Sequence, residues 1–134
     1  MDATMMIRGH SDWRYLVILV AVLALLKFLI GMFTGGRWGK LDQILGSAVP
    51  IVFDIQLLLG IVVWVMEKRW TGGAPLQSWE HPVTMILAIA VAHIAASRTK
   101  TTSLDSAKFR TAFSGFLIAS LLMGLGVARI TGFM

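Results

Sequence analysis

Long apolar runs alternate with short polar segments along this chain, and each run is about as long as a bilayer is thick. A transmembrane helix needs about 20 mostly apolar residues. Four stretches come close to or exceed that length, at residues 12–34, 44–66, 79–97 and 109–132. The third is the shortest, and its first turn relies on Ser78 as N-cap and on Pro82 at a position where a helix tolerates proline. The pattern therefore predicts four transmembrane helices.

The segments between these runs are short and rich in turn-forming residues: "GGRWGKLDQ", "EKRWTGGAPLQ" and "RTKTTSLDSAK". Short loops between long helices make sequential helices antiparallel neighbours. We predict an all-α integral membrane protein, with residues 1–134 forming a single antiparallel up-down bundle of four transmembrane helices. Both termini then lie on one side of the membrane together with loop 67–81, and we call this the terminal side. The other side is the loop side.

Composition supports a membrane protein and removes several kinds of chemistry. Of the 134 residues, 57% are hydrophobic and 14% charged, whereas a soluble domain has roughly 25% charged residues. The chain has no cysteine, which excludes disulfides, thiolate metal sites, iron–sulfur clusters and thiol catalysis. Its net charge of +5 comes from residues between the apolar runs. There they set topology and meet anionic lipid, so we expect no nucleic-acid partner.

Basic residues divide almost evenly between the two sides of the membrane. The loop side carries six, namely Arg37, Lys40, Arg98, Lys100, Lys108 and Arg110. The terminal side carries five, namely Arg8, Arg14, Lys68, Arg69 and Arg129. Lysine and arginine accumulate in cytoplasmic loops, so the difference favours termini outside the cytoplasm.

Two of the three histidines are predicted to meet near the terminal side. His10 precedes the first span and His81 opens the third. Helices 1 and 3 of an up-down bundle run parallel and lie diagonally across the core, so these imidazoles fall at similar depth and can converge on an object between them. Two axial imidazoles are what a bis-histidine haem requires. His93 lies 12 positions beyond His81, about 18 Å deeper, and cannot serve the same site.

The neighbours of these histidines allow more than one interpretation. Ala88 and Ala92 follow His81 on its own helix face and would leave room for a flat macrocycle, while Arg14 could pair with a propionate. Small residues at this spacing also let membrane helices pack closely with nothing between them. Glu80 either accepts the second ring N–H of a ligating histidine or, as we favour, is a carboxylate stabilised at a helix N-terminus.

An internal repeat would relate the two histidines by symmetry. Helix 2 contains "FDIQLLLGIVV" and helix 4 contains "FLIASLLMGLGV", which are similar with one gap. If the two hairpins are duplicated, a pseudo-twofold axis runs along the membrane normal, and His10 and His81 are symmetry mates.

Further ionisable and polar residues lie inside the predicted spans. Asp54 and Gln56 are near mid-bilayer, and Lys27 and His93 lie nearer the loop side. Such groups are candidates for function and usually face the bundle interior or a cavity, as a proton relay, a quinone-site acid or a partner of a ligand. For Lys27 the alternative is snorkelling to the interface. For His93 it is a hydrogen bond to Asp54 or to backbone rather than a metal bond.

Three segments resemble a family of small four-span bacterial membrane proteins labelled cytochrome b. They are "HSDWRYLVIL", "FDIQLLLGIVVWV" and "SWEHPVTMILAIAVAHIAASR", similar to the family pattern His-Ser-x-x-Arg-[Trp/Tyr], then x-Gln-Leu-Leu-x-Gly, then Glu-His and a late His before a basic loop. The resemblance implies a bacterial inner-membrane protein with His10 and His81 as haem ligands and His93 as a third candidate. Asp54 departs from the pattern, since some relatives have a histidine or a small polar residue there. Two haems would need four axial histidines, so three support at most one.

We therefore expect an electron-transfer protein, more than a catalyst in its own right, that holds one haem b between helices 1 and 3 and works with a quinone or a larger complex. Three alternatives remain: a cofactor-free accessory subunit of a respiratory or photosynthetic complex, a subunit that binds bacteriochlorophyll or another chlorin, and a proton-coupled channel or carrier using Asp54, Lys27 and His93. The expected partners are the lipid bilayer and other membrane subunits or further copies of the chain. The sequence contains no nucleophile–base set and no phosphate-binding loop, so we do not expect hydrolytic or group-transfer catalysis.

Overall fold

Four long helices make up most of the structure, a computed structural model that describes residues 3–132. They are α1 (Ala3–Thr34), α2 (Lys40–Met66), α3 (His81–Thr101) and α4 (Asp105–Ile130). Each is long and apolar enough to cross a membrane, and the described residues contain no strand. The predicted multi-pass, all-α membrane fold is confirmed.

The helices form an antiparallel up-down bundle, as predicted. α1 packs against α2 and α4, and α3 packs against α4 and α2, which leaves α1 diagonal to α3. Contacts between His10 and His81 and between Glu80 and Arg129 join the start of α1, the start of α3 and the end of α4. The two ends of the described chain therefore lie on the same side.

Several helix ends differ from the predicted spans, because hydropathy locates only the part of a helix that lies in hydrocarbon. α1 begins at Ala3 rather than residue 12, and α4 begins at Asp105 rather than residue 109. Ser78 is not an N-cap. It lies within a π-helical turn, Leu76–Glu80, that runs directly into α3, and its hydroxyl donates to the Arg69 carbonyl.

The core changes character along the membrane normal. Phe28, Phe109 and Phe116 are fully buried towards the loop side, and Trp38 from the α1–α2 turn packs on Phe28 with ring centroids 5.2 Å apart. The middle is dominated by small residues, with Ala24, Ala88, Ala92 and Ala119 fully buried. Towards the terminal side this packing gives way to the two histidines. Large apolar side chains on all four helices, such as Leu19, Leu58, Ile94 and Leu121, face outwards, as lipid contact requires.

Candidate functional site

His10 on α1 and His81 on α3 meet across the diagonal of the bundle. Their ring centroids are 6.3 Å apart, and the ring planes are inclined by 80°. Both side chains are half-buried. The convergence predicted from equal depth on parallel helices is therefore confirmed, although the helices extend further than expected and place the pair inside the bundle rather than at its mouth.

The α2 surface holds His10 in place. The side-chain amide of Gln56 donates to the His10 backbone carbonyl at 3.0 Å. One turn further on, a Cβ added at Gly60 would lie only 3.1 Å from Cε1 of the imidazole, so the glycine makes room for the ring. Since Gly60 is six residues before the end of α2 at Met66, the site lies about 9 Å inside the end of α2.

Three polar atoms around this pair are buried without a hydrogen-bond partner among the described residues: Nδ1 of His10, Nδ1 of His81 and Oε1 of Gln56. An unsatisfied buried polar atom costs about 1–3 kcal/mol, and native interiors contain few of them. Three such atoms around one ring contact make this place a candidate binding site.

The separation of the two rings suits a shared metal ion. An imidazole nitrogen binds a metal at about 2 Å, and the ring centre lies about 1 Å behind that nitrogen. Two axial imidazoles on one ion therefore have centroids about 6 Å apart, close to the 6.3 Å observed. An edge-to-face ring contact has the same range of distances, but such a contact by itself gives neither buried Nδ1 a partner.

A metal-bound imidazole also needs an acceptor for its second ring nitrogen. Gln56 lies beside the His10 ring, and the Gly126 backbone lies beside the His81 ring. The Arg69 guanidinium lies close enough to act electrostatically on both rings. The surroundings thus offer acceptors to the ring N–H groups and positive charge to an anionic ligand.

A cavity of about 250 Å³ opens beside His81, between α3 and α4. Thr84 and Gly126 are among the residues that line it, and Glu80 and Arg129 form its polar edge. Small-molecule sites have volumes of about 300–1,000 Å³, so this cavity is smaller than a site for a whole macrocycle, and His10 is not among the residues that line it.

Glu80 has a role that neither sequence interpretation anticipated. Its carboxylate accepts two hydrogen bonds from Arg129, from Nε at 2.8 Å and from Nη2 at 3.1 Å. It is therefore not a second partner for a histidine. It also precedes α3 within the π-helical turn rather than opening an isolated helix N-terminus. The pair joins α3 to α4 beside the cavity.

Other expected haem contacts lie away from the cavity. The Arg14 guanidinium is directed at exposed Tyr15, donating to its hydroxyl at 3.3 Å and lying 5.1 Å from its ring centroid. Ala88 and Ala92 are fully buried in the packed core and do not line the cavity. These alanines serve close helix packing, the alternative that the sequence left open.

Asp54 and His93 form the hydrogen-bonded pair that the sequence allowed, with His93 Nε2 2.7 Å from Asp54 Oδ1. Their orientation is the opposite of the expected one. The side chains are 44% and 51% exposed on the outer surface of α2 and α3, not directed into the bundle or a cavity. His93 is thus separate from the His10–His81 site.

Lys27 reaches towards the loop side, as expected, but it does so to meet a residue that the sequence analysis did not single out. Its ammonium group lies 2.7 Å from a carboxylate oxygen of buried Asp42, and the other carboxylate oxygen accepts from the Gly39 backbone N–H at 2.9 Å. Asp42 is 12 residues from Asp54 along α2, about 18 Å. Of the expected set of Asp54, Lys27 and His93, the structure therefore brings Asp54 and His93 together and leaves Lys27 apart.

Among the described residues, no group of three or more His, Cys, Asp or Glu side chains could hold a metal ion. The candidate site is therefore the pair of His10 and His81, and two histidines are the protein ligands that a bis-histidine haem takes. No family model matches the chain, and no curated protein or solved structure was found to match it.

Proposed function

We propose that this chain is a membrane-embedded, b-type cytochrome-like electron-transfer protein in which His10 and His81 would hold one haem. The observation that carries the proposal is the pair of diagonal imidazoles with centroids 6.3 Å apart, each with a buried nitrogen lacking a partner. When bound, a haem supplies one-electron transfer. The surrounding protein holds and orients the ligands and limits the access of water.

Named residues support this proposal at each part of the site. Gly60 admits the His10 ring, and Gln56 holds its backbone. Arg69, which is close enough to act electrostatically on both rings, would offer positive charge to haem propionates. Arg14, directed at Tyr15, is not proposed for that role.

The same geometry favours iron over a chlorin. The magnesium of a chlorin takes a single protein ligand, whereas here two imidazoles lie with their centroids 6.3 Å apart. A cofactor-free accessory subunit remains the second candidate, and the close packing of Ala88 and Ala92 in the core favours it. We also propose the bacterial inner membrane as location, termini outside the cytoplasm, and a quinone or a redox subunit as electron partner. The six-to-five distribution of basic residues supports the orientation.

The test is a visible spectrum of detergent-purified protein, first oxidised and then reduced with dithionite. We expect a strong Soret band and a sharp α-band on reduction, both lost in His10→Ala and in His81→Ala. His93→Ala is the matched control, since it removes the third histidine and should keep the full haem content. A featureless spectrum from well-folded, gently extracted protein would support the accessory subunit, and a far-red band would support a chlorin.

A further inference from the structure

The pair of Asp54 and His93 lies on the outside of the bundle at the depth of the hydrocarbon. Asp54 is near the middle of α2, 14 residues after Lys40 and 12 before Met66. About half of each side chain is exposed. A polar group that faces lipid at this depth is costly. The polar side chains of membrane-spanning helices therefore almost always face protein or a water-filled cavity instead.

Hydrocarbon also restricts how the pair is protonated. A low-dielectric surrounding favours arrangements without net charge. Net-neutral arrangements include a carboxylate with an imidazolium and a carboxylic acid with a neutral imidazole, whose tautomer decides which ring nitrogen carries the proton. In each of them, one of the two outward atoms, His93 Nδ1 or the second oxygen of Asp54, is a donor and the other is an acceptor. Neither atom has another partner among the described residues.

We propose that two copies of this chain associate through the α2–α3 face, with His93 of each copy hydrogen-bonded to Asp54 of the other. A donor and an acceptor side by side on one face are self-complementary under a two-fold axis, which uses the same patch on both subunits. Because both copies insert in the same orientation, the axis runs along the membrane normal and the pairs meet at equal depth. Each copy thereby removes the polar groups of the other from lipid.

The surroundings of the pair fit a second copy better than a small molecule. Small-molecule sites are concave, but neither the cavity beside His81 nor the one beside Trp38 is lined by Asp54 or His93. On α3, small residues Ala90 and Ser97 lie exposed one turn to either side of His93, and small residues let membrane helices approach closely. This face therefore favours helix-to-helix contact.

Counting chains per particle in lipid vesicles tests the proposal. The chain has no cysteine, so Gly73→Cys, in an open position of the terminal-side loop, allows one fluorophore per chain and stepwise photobleaching. We expect two-step particles that dissociate only at high dilution in lipid. Replacing both Asp54 and His93 by leucine should lower the association constant by about tenfold or more, because two interhelical hydrogen bonds are lost.

Two control variants make the result specific. The swap of Asp54→His with His93→Asp keeps one donor and one acceptor on the face and should keep the dimer. Leu121→Ala changes an exposed residue of α4 and should leave association unchanged. Single-step particles at every protein-to-lipid ratio, or a leucine variant that associates like the original chain, would overturn the proposal. So would a stoichiometric quinone or foreign subunit that copurifies with the original chain and is lost from the leucine variant. Haem content per chain is measured in parallel, so failure of this proposal is distinguishable from failure of the proposed function.

Discussion

Glu80 and Arg129 are 49 residues apart in the sequence and meet in a two-pronged ion pair, with N–O distances of 2.8 and 3.1 Å. The pair joins the turn before α3 to the last turns of α4. Both residues also lie at the edge of the cavity beside His81. The pair is therefore placed to control the separation of α3 and α4 at the entrance to the candidate site.

Removing this ion pair should open the cavity without unfolding the bundle. Thr84 lines the cavity, so Thr84→Cys provides a single reactive thiol in a chain that has none. We expect a water-soluble maleimide to label this thiol several-fold faster when Glu80→Ala is added. Glu67→Ala, another exposed glutamate of the terminal side, should leave the labelling rate unchanged. Equal rates in all three backgrounds would show that the pair does not close the cavity.

Gly60→Ala should affect the His10 ring specifically. The new methyl group would lie 3.1 Å from Cε1 of the ring, so the imidazole must move by a few tenths of an ångström. Alanine raises helix propensity by about 1 kcal/mol relative to glycine, so we expect little net change in stability. We expect haem affinity to fall several-fold, as measured by haem titration.

Gly124→Ala is the matched control for Gly60→Ala, since Gly124 holds the corresponding place in the similar segment of helix 4. A Cβ there meets nothing within 4 Å, so this variant should keep its haem affinity. Identical titrations of the two variants would count against His10 as a ligand.

Close approach of α3 and α4 depends on Gly115. A Cβ at this position would lie 2.3 Å from the Cβ of Ala95, and neither atom can rotate away. Gly115→Ala should therefore push the helices apart and lower the free energy of unfolding by about 1–3 kcal/mol, as measured by SDS titration in mixed micelles. In Gly126→Ala the new Cβ would clash only with the flexible end of Met85 and would touch Thr84 at an ordinary contact distance, so this variant should cost less. The reverse order would contradict this account of the packing.

Lys27 should stabilise the fold through Asp42. Asp42 is 1% exposed, and removal of Lys27 leaves its carboxylate with the Gly39 N–H as its remaining bond. Because the Lys27 side chain is 33% exposed, we expect Lys27→Met to cost about 1–3 kcal/mol, less than the loss of a fully buried partner. Unfolding in mixed micelles measures this.

Adding Asp42→Asn to Lys27→Met should restore part of the lost stability, because a neutral amide is buried more cheaply than a carboxylate and can still accept from Gly39. Lys40→Met serves as the control, because Lys40 is an exposed lysine in the same first turn of α2 as Asp42. This variant should leave the free energy of unfolding unchanged. A Lys27→Met variant as stable as the original chain would show that the ion pair contributes nothing.

The sequence was sufficient for the fold and for the meeting of His10 and His81, because both follow from helix order and depth. It could not show which way Asp54 and His93 face. In a helix of a soluble protein, polar residues identify the face that contacts solvent. In a membrane helix, the face towards lipid and the face towards the core are both apolar. Exposed Leu58 and buried Phe53 on α2 therefore look alike in the sequence, and no periodicity separates the outer face from the inner one.

The partners of Lys27 and Glu80 were missed for a different reason. Asp42 meets Lys27 only because the turn after α1 folds back sharply at Gly35, which adopts φ +65°. Arg129 meets Glu80 only because the π-helical turn extends α3 beyond Pro82. Turn geometry of this kind depends on the exact ends of helices, which hydropathy locates poorly.

The two histidines belong to different halves of the chain. His10 is made and inserted with the α1–α2 hairpin, and His81 with the α3–α4 hairpin. Neither half alone can hold a group that needs both imidazoles, so the site arises only when the second hairpin has docked on the first. Capture of a ligand there would thus be the last event of biogenesis. If the two hairpins were coexpressed as separate polypeptides, the site would form only where the hairpins associate in the membrane.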